Sequence, residues 1–338
     1  MLRYLIRRIL WAVILFLTVT VITFVIFFLI PNDVASQVAG RGSTQQQRQR
    51  AIHYLGLDRP VYVQYGKFLW RLVKPVPVRI SGVPVFVRPK ADLGKSFLQA
   101  TTVNSIIASA APVTASLAFG GIIVWMLIAL PVGILSALRP RSLLDRVSMT
   151  FVLIGISAHP IWIGLIFSFF IGYKLGLTPI TGYSDFFNPD PGTGPGGPVQ
   201  WAYHLILPWI TYAILFAALY VRMIRANVME TLSEDYVRTA RAKGAPEWRV
   251  MRSHVLRNAM LPVVTMLGMD IGFALGGAIF TETVYSLPGL GKTAIYSIQN
   301  SDLPVVMGVI VFGTVAILVF NLLVDVLYAW IDPRIRLS

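Results

Sequence analysis

The sequence contains no cysteine. Disulfides, thiolate zinc sites, cysteine nucleophiles and iron–sulfur clusters are therefore excluded. The absence suits either side of a membrane and says nothing about compartment. Charge is the second scarcity. Only 13% of the 338 residues are charged while 56% are hydrophobic, against about 25% and 45–50% in a soluble domain. A soluble surface of this size needs charge to stay in water. The length alone suits two soluble domains, but the hydropathy overrides that reading. Acids are scarcer than bases, 15 against 29, leaving a net charge of +14. In a soluble protein that balance suits nucleic acid; in a membrane protein it suits Lys and Arg gathered in cytoplasmic loops. Catalytic signatures are missing as well: there is no HExxH, no nucleophile elbow and no Ser/His or Asp/Asp pair matched across helices. His159 and His204 stand isolated in apolar surroundings and read as packed side chains.

What the chain has instead is long uncharged runs. Residues 9–30 carry no charge, and a span needs about 20 apolar residues. Arg3, Arg7 and Arg8 precede this run in the manner of a signal peptide, whose apolar core is only about 7–15 residues; the run is read as a retained first span. Further runs lie at 112–138, 147–173, 205–221, 261–281 and 303–324, the fifth holding one acid, Asp270. Pro131, Pro160 and Pro208 lie in or near them. Membrane helices tolerate proline where neighbours satisfy the freed carbonyls, so the expectation is six unbroken spans.

The basic residues orient those spans. With the N-terminus inside, the pieces 1–8, 139–146, 222–260 and 331–338 are cytoplasmic and hold sixteen Lys and Arg. The outer loops 174–203 and 286–302 hold only Lys174 and Lys292. The remaining eleven fall in 31–101, a segment of 71 residues, beyond the roughly 60-residue limit within which loop charge sets orientation. The expectation is an all-α polytopic membrane protein with both termini cytoplasmic and no nucleic-acid partner. It divides into the tail and first span (1–30), a small extracytoplasmic insertion (31–101) and a five-helix core (102–338). In the insertion, VRISGVPVFVRP at 78–89 reads as a hairpin; DFFNPDPGTGPGGP at 185–198 reads as a flexible loop. No internal repeat of the kind found in inverted-repeat transporters is present.

The longest cytoplasmic piece is 222–262. Thr231 and Glu234 fit a capping box, Arg241 and Lys243 suit a helix C-terminus, and Gly244 fits the position just past it. Pro246 fits the first position of a second helix, along which Trp248, Met251 and Val255 form an apolar stripe. Helix, glycine turn and helix suit two roles equally: lying on anionic headgroups, or docking a cytosolic protein.

The segment YVRTARAKGAPEWRVMRSHVLRNAMLPVV at 236–264 resembles the EAA loop of ABC-importer permeases, most closely the dipeptide, oligopeptide and nickel branch. LIPNDVA at 29–35, LGLDRPVYVQY at 55–65, DLGKSF at 92–97 and LGLTPITGY at 175–183 are similar to stretches of that branch, in the same order. So are ETVYSLPGLGKTAIYSIQNSDLPVV at 282–306 and NLLVDVLYAWIDPRIR at 321–336. Arg238 stands where the general EAA pattern has Glu, as is usual in the peptide branch, and residues 75–91 have no counterpart. The resemblance implies a type I ABC importer permease fold, the first of two permease subunits, in a bacterial plasma membrane. It implies a second permease, two cytosolic ATP-binding subunits and an extracytoplasmic solute-binding protein as partners, with a peptide as substrate. ATP and magnesium would sit on the ATPases; no cofactor, metal or catalytic residue is expected on this chain. Peptides, nickel chelates and haem are all carried by relatives. The residues it assigns to ATPase coupling are Tyr236, Ala240, Gly244, Ala245, Pro246 and Trp248, within the loop 231–262.

Two further signals need weighing. SLPGLGKT at 286–293 nearly spells a phosphate-binding loop, but Ser286 replaces its first glycine and no strand precedes it. It reads as an outer turn at the entry to the pathway. Asp270 is an ionisable residue at membrane depth, which marks a functional position by default. Either it lines the pathway and meets a peptide amino group, or it is bonded to a neighbouring helix or protonated. A proton-coupled secondary peptide transporter using Asp270 is the alternative from another class. Asp325 lies within about two turns of the cytoplasmic end and reads as structural.

Overall fold

The computed structural model describes residues 2–29, 44–55, 58–73, 75–80, 83–89, 92–99, 101–187, 196–276 and 278–331. The segments at 29–35 and 185–198 fall largely outside them, as does the side chain of Asp325. The chain divides into two compact units, one of residues 1–112, 293–318 and 336–338, the other of 113–292 and 319–335.

In the first unit, α1 (Leu2–Leu29) and two shorter helices, α2 (Gln45–Leu55) and α3 (Val61–Val73), precede an antiparallel hairpin of β1 (Pro75–Ile80) and β2 (Val83–Pro89). α2 opens with the polar run QQQRQR at 45–50, and the expected hairpin forms with an irregularity between Val78 and Arg79. Phe24 of α1 and Phe68 of α3 are buried with Met307 and Val311. Phe24 meets Tyr65 edge-on at 5.4 Å, and the Tyr65 and Thr20 hydroxyls lie 3.0 Å apart. Buried Asp302 accepts hydrogen bonds from the Ser96 hydroxyl and the Phe97 N–H, so DLGKSF is tied to the sequence-distant QNSDLP.

Long helices build the rest: α4 (Val103–Leu138), α5 (Leu143–Ser157), α6 (Pro160–Phe167) and α7 (Pro198–Leu232). They are followed by α8 (Asp235–Ala242), α9 (Glu247–Arg249), α10 (Arg257–Ala259), α11 (Leu261–Leu275), α12 (Ile279–Val284), α13 (Leu290–Gln299) and α14 (Leu303–Ile331). Among the described residues, four stretches are long and apolar enough to cross a membrane unbroken: Ile6–Ile26, Val103–Leu138, Pro198–Leu232 and Leu303–Val324. Two bent pairs bring the number to six, 143–157 with 160–174 at 104° and 247–259 with 261–275 at 46°.

The expectation of unbroken spans holds at Pro131 and Pro208, which lie inside α4 and α7, and fails at Pro160. Proline disfavours helical backbone in the residue before it. His159 and Ala158 are both extended, with ψ of 135° and 127°, and two extended residues turn the chain. His159 then caps α6, its Nδ1 accepting the Ile161 N–H at 3.3 Å. The second unit packs around Trp125, Tyr220, Val221 and Ile224. α11 approaches the last helix closely, since a Cβ on Gly268 would fall 1.7 Å from Val324 Cγ2.

One buried ion pair joins three of these helices. The Arg225 guanidinium of α7 donates to both Asp145 oxygens, at 2.7 and 3.0 Å. The Ser136 hydroxyl of α4 and the Arg141 N–H complete the carboxylate's shell. Removing one partner of a fully buried pair leaves an uncompensated charge, at a cost of about 3–5 kcal/mol, and less here because the Arg225 side chain keeps 24% exposure, whereas apolar replacement of both is close to neutral. Arg225→Met is expected to lower the thermal midpoint of the purified protein, and adding Asp145→Leu to recover most of the loss. A double variant no more stable than the single one would refute the pairing argument.

Candidate functional site

The turn around Gly244 is built by local chemistry. α7 runs on through Thr231, whose hydroxyl donates to Asn227 O at 2.7 Å. The expected capping box is therefore absent, because Thr231 is buried mid-turn in the preceding helix. α8 starts instead at Asp235, with Glu234 as an N-cap whose side chain makes no capping bond. At its other end the Gly244 N–H donates to Arg241 O at 2.9 Å and the Ala245 N–H to Ala240 O at 3.2 Å. This paired arrangement is the Schellman motif. Gly244 takes φ +76°, and a Cβ there would touch nothing within 4 Å; glycine is required for conformation alone. Pro246 is the N-cap of α9, with ψ 144°, rather than its first residue. The Arg241 guanidinium and Glu247 carboxylate close the turn from outside, Nε to Oε1 at 2.9 Å, an exposed pair contributing only a few tenths of a kcal/mol.

Beyond α9 the chain winds as a π-helix over Val250–Leu256, which the apolar stripe did not foresee. In an α-helix residues five apart point about 140° apart; the wider turn, closed by i→i+5 bonds, returns them to one face. Val250 and Val255 are accordingly both 0% exposed, beside buried Val237. Trp248, expected on one apolar stripe with Met251 and Val255, is 72% exposed while Val255 is buried. Tyr236 is also exposed, and its hydroxyl accepts from Asn258 Nδ2 at 2.8 Å, tying α8 to α10. Tyr236, Gly244, Pro246 and Trp248 thus lie at the surface, Ala245 is half-buried and Ala240 faces the core.

Asp270, the tenth residue of α11, is half-buried and accepts the Tyr220 hydroxyl of α7 at 2.6 Å. The tether to a neighbouring helix weighed from the sequence is present. Tyr220 packs tilted against Trp125 at 5.8 Å, and Trp125 stacks on Phe216 at 4.6 Å.

Glu282 is a site the sequence reading missed. It is fully buried in α12 and accepts the Thr114 hydroxyl at 2.7 Å and the Lys292 N–H at 2.9 Å. Thr114 Oγ1 in turn accepts the Leu290 N–H. The near-phosphate-loop SLPGLGKT therefore does open a helix, and its N–H groups meet the protein's own carboxylate and hydroxyl. A lone acid just before a Pro-Gly-rich turn was the available signal.

Apolar crossings, bent pairs and an exposed glycine turn between them describe a membrane component of a transport system. The chain belongs to the family described as binding-protein-dependent transport system inner membrane component, matched over residues 129–337, with that family's N-terminal part matched over 1–118. It is similar to the dipeptide transport system permease protein of Escherichia coli, 34% identical over 352 residues covering 99% of each chain. It is 37% identical, over 96% of its length and 95% of the relative's, to a protein of the same organism named as a probable D,D-dipeptide transport system permease. These relatives are permeases, not enzymes. Membership supports the ABC-importer reading over a proton-coupled carrier, and places the chain in the inner membrane with other subunits of a transporter complex.

Glu282→Ala is expected to lower stability by about 1–3 kcal/mol, because the Thr114 hydroxyl and Lys292 N–H lose their buried acceptor. Thermal unfolding in detergent measures it, and an unchanged midpoint contradicts the role given to Glu282.

Proposed function

We propose that the chain is the first of two permease subunits of an ATP-driven importer of di- or oligopeptides. In this reading both termini are cytoplasmic and residues 31–101 form an extracytoplasmic insertion. A second permease completes the pathway, two cytosolic ATP-binding subunits drive it, and an outer solute-binding protein delivers the peptide. The observation that carries the reading is the exposed ridge of Tyr236, Pro246 and Trp248 around the left-handed Gly244. An aromatic ridge fixed by a Schellman turn is a rigid docking feature, and rigidity lets a push at the ridge reach the helices behind it. The substrate class rests on the dipeptide permeases that the chain resembles along its whole length.

Two experiments test this. Uptake by the reconstituted complex is expected to require ATP and to continue when an uncoupler collapses the proton gradient; loss of uptake with ATP held constant overturns the energy source. Gly244→Val forces a β-branched residue into left-handed backbone at a cost of about 1–2 kcal/mol. Expected is normal membrane insertion with ATP hydrolysis no longer tied to uptake. Uptake at the wild-type rate removes the docking assignment.

A further inference from the structure

The described carboxylates buried in this protein are closely provided for, with one exception. Asp145 has an arginine, a hydroxyl and an N–H. Glu282 has a hydroxyl and a backbone N–H, and so does Asp302. Asp270 has the Tyr220 hydroxyl on Oδ2, and its Oδ1 accepts no hydrogen bond from any described residue. No basic side chain among the described residues pairs with it. A carboxylate at membrane depth is costly and calls for a partner.

The surroundings define where that partner enters. On α11, Gly268 and Gly272 lie about 200° round the helix from Asp270. Both are buried, and Gly268 is the one pressed against Val324. The opposite side is open: Met266, Met269 and Phe273 are exposed, Phe273 at 67%. They stand three or four residues from Asp270 or next to it, along one stripe. Behind the carboxylate the wall is fixed, since Tyr220 and Trp125 are almost wholly buried and pack on each other. The result is an acid with one oxygen bonded to a buried tyrosine and the other without a described hydrogen-bond donor, on the side of the helix that carries an uncovered apolar stripe.

We propose that Asp270 is a substrate subsite of the pathway, taking a primary ammonium of the passing peptide on Oδ1, while Tyr220 positions the carboxylate. The proposal rests on the peptide-importer reading above. The ammonium supplies the charge and donors that Asp270 lacks, and the two methionines and Phe273 accommodate apolar parts of a ligand without selecting among them. Two sources share this chemistry: the peptide's α-ammonium and a lysine side chain.

The test uses the complete complex, purified with its own partner subunits and solute-binding protein and reconstituted in vesicles. Uptake of Ala-Ala and Ala-Lys is compared for wild type, Asp270→Asn, Asp270→Glu and Tyr220→Phe. Loss of one charge-assisted hydrogen bond corresponds to about a tenfold change. Asp270→Asn is expected to raise KM for Ala-Ala by about that factor with kcat retained, and Asp270→Glu to restore it. An effect confined to Ala-Lys assigns the subsite to the side-chain ammonium. Unchanged KM for both peptides overturns the proposal. If Asp270→Asn fails to reach the membrane, Tyr220→Phe decides, because it leaves the charge and frees its orientation: a raised KM supports the subsite and an unchanged one overturns it. Wild-type complex that takes up neither these dipeptides nor a longer alanine peptide refutes the importer reading instead, so the two failures are separable.

Discussion

Inside hydrocarbon no water is available to satisfy a polar group, so every backbone amide and every buried side chain must find its partner within the protein. The architecture follows from that constraint. The apolar runs form helices because a helix bonds its own amides. Polar residues at the ends of the spans and in the connecting segments, buried in protein rather than in lipid, obey the same rule and are placed where another element reaches them. Asp145 and Arg225 meet with Ser136 where three helices come together. Glu282 takes the N–H of Lys292 and, through Thr114, that of Leu290, so a helix start that would otherwise need an external anion is closed by the protein itself. Asp302 does the same for the turn at Ser96 and Phe97. Each cluster converts a penalty of burial into a fixed relation between segments far apart in sequence.

How much of this could be read beforehand depends on the range of the interaction. Hydropathy is a local sum, so the six apolar runs found their places, and the basic-residue count rests on the same local reading. Gly244 was legible because its requirement is backbone conformation, which a single residue type satisfies. The break at His159–Pro160 was not. Proline inside a span is compatible with both a continuous and a broken helix, and here the extended backbone at Ala158 and His159 decides. The capping box at Thr231 failed for a related reason. The motif fits a helix start, but the preceding helix runs through it, and Thr231 bonds back to Asn227.

The segment that follows Gly244 shows a subtler limit. A 3.6-residue period put Trp248, Met251 and Val255 on one face, yet the protein buries Val250 and Val255 and exposes Trp248. The difference is a π turn, which no periodicity in seven residues identifies. Its cause lies in packing: both valines fill the cluster with Val237 and Val228 only if the winding widens between them. The Tyr220–Asp270 and Thr114–Glu282 bonds were hidden on the same ground, since they span 50 and 168 positions of sequence.

That winding bears on how force passes through the segment. The turn is held by two Schellman bonds, by the Arg241–Glu247 pair and by the Tyr236–Asn258 bond from one helix to the next. These contacts tie the turn to the helices on both sides of it. Behind it, Val237, Val250 and Val255 share a close-packed cluster with Val228 and Ile224 of α7, and that cluster continues to Trp125 and Tyr220. Close-packed interiors are stiff and transmit displacement rather than absorb it. In the proposed importer a push on the exposed Trp248 ridge would reach α7 through this cluster, the helix whose Tyr220 holds Asp270 and whose Arg225 holds Asp145. The exposed turn and the carboxylate of the span are thus joined by one packed cluster, and the glycine that sets the turn's angle lies outside the apolar runs that first marked the chain as a membrane protein.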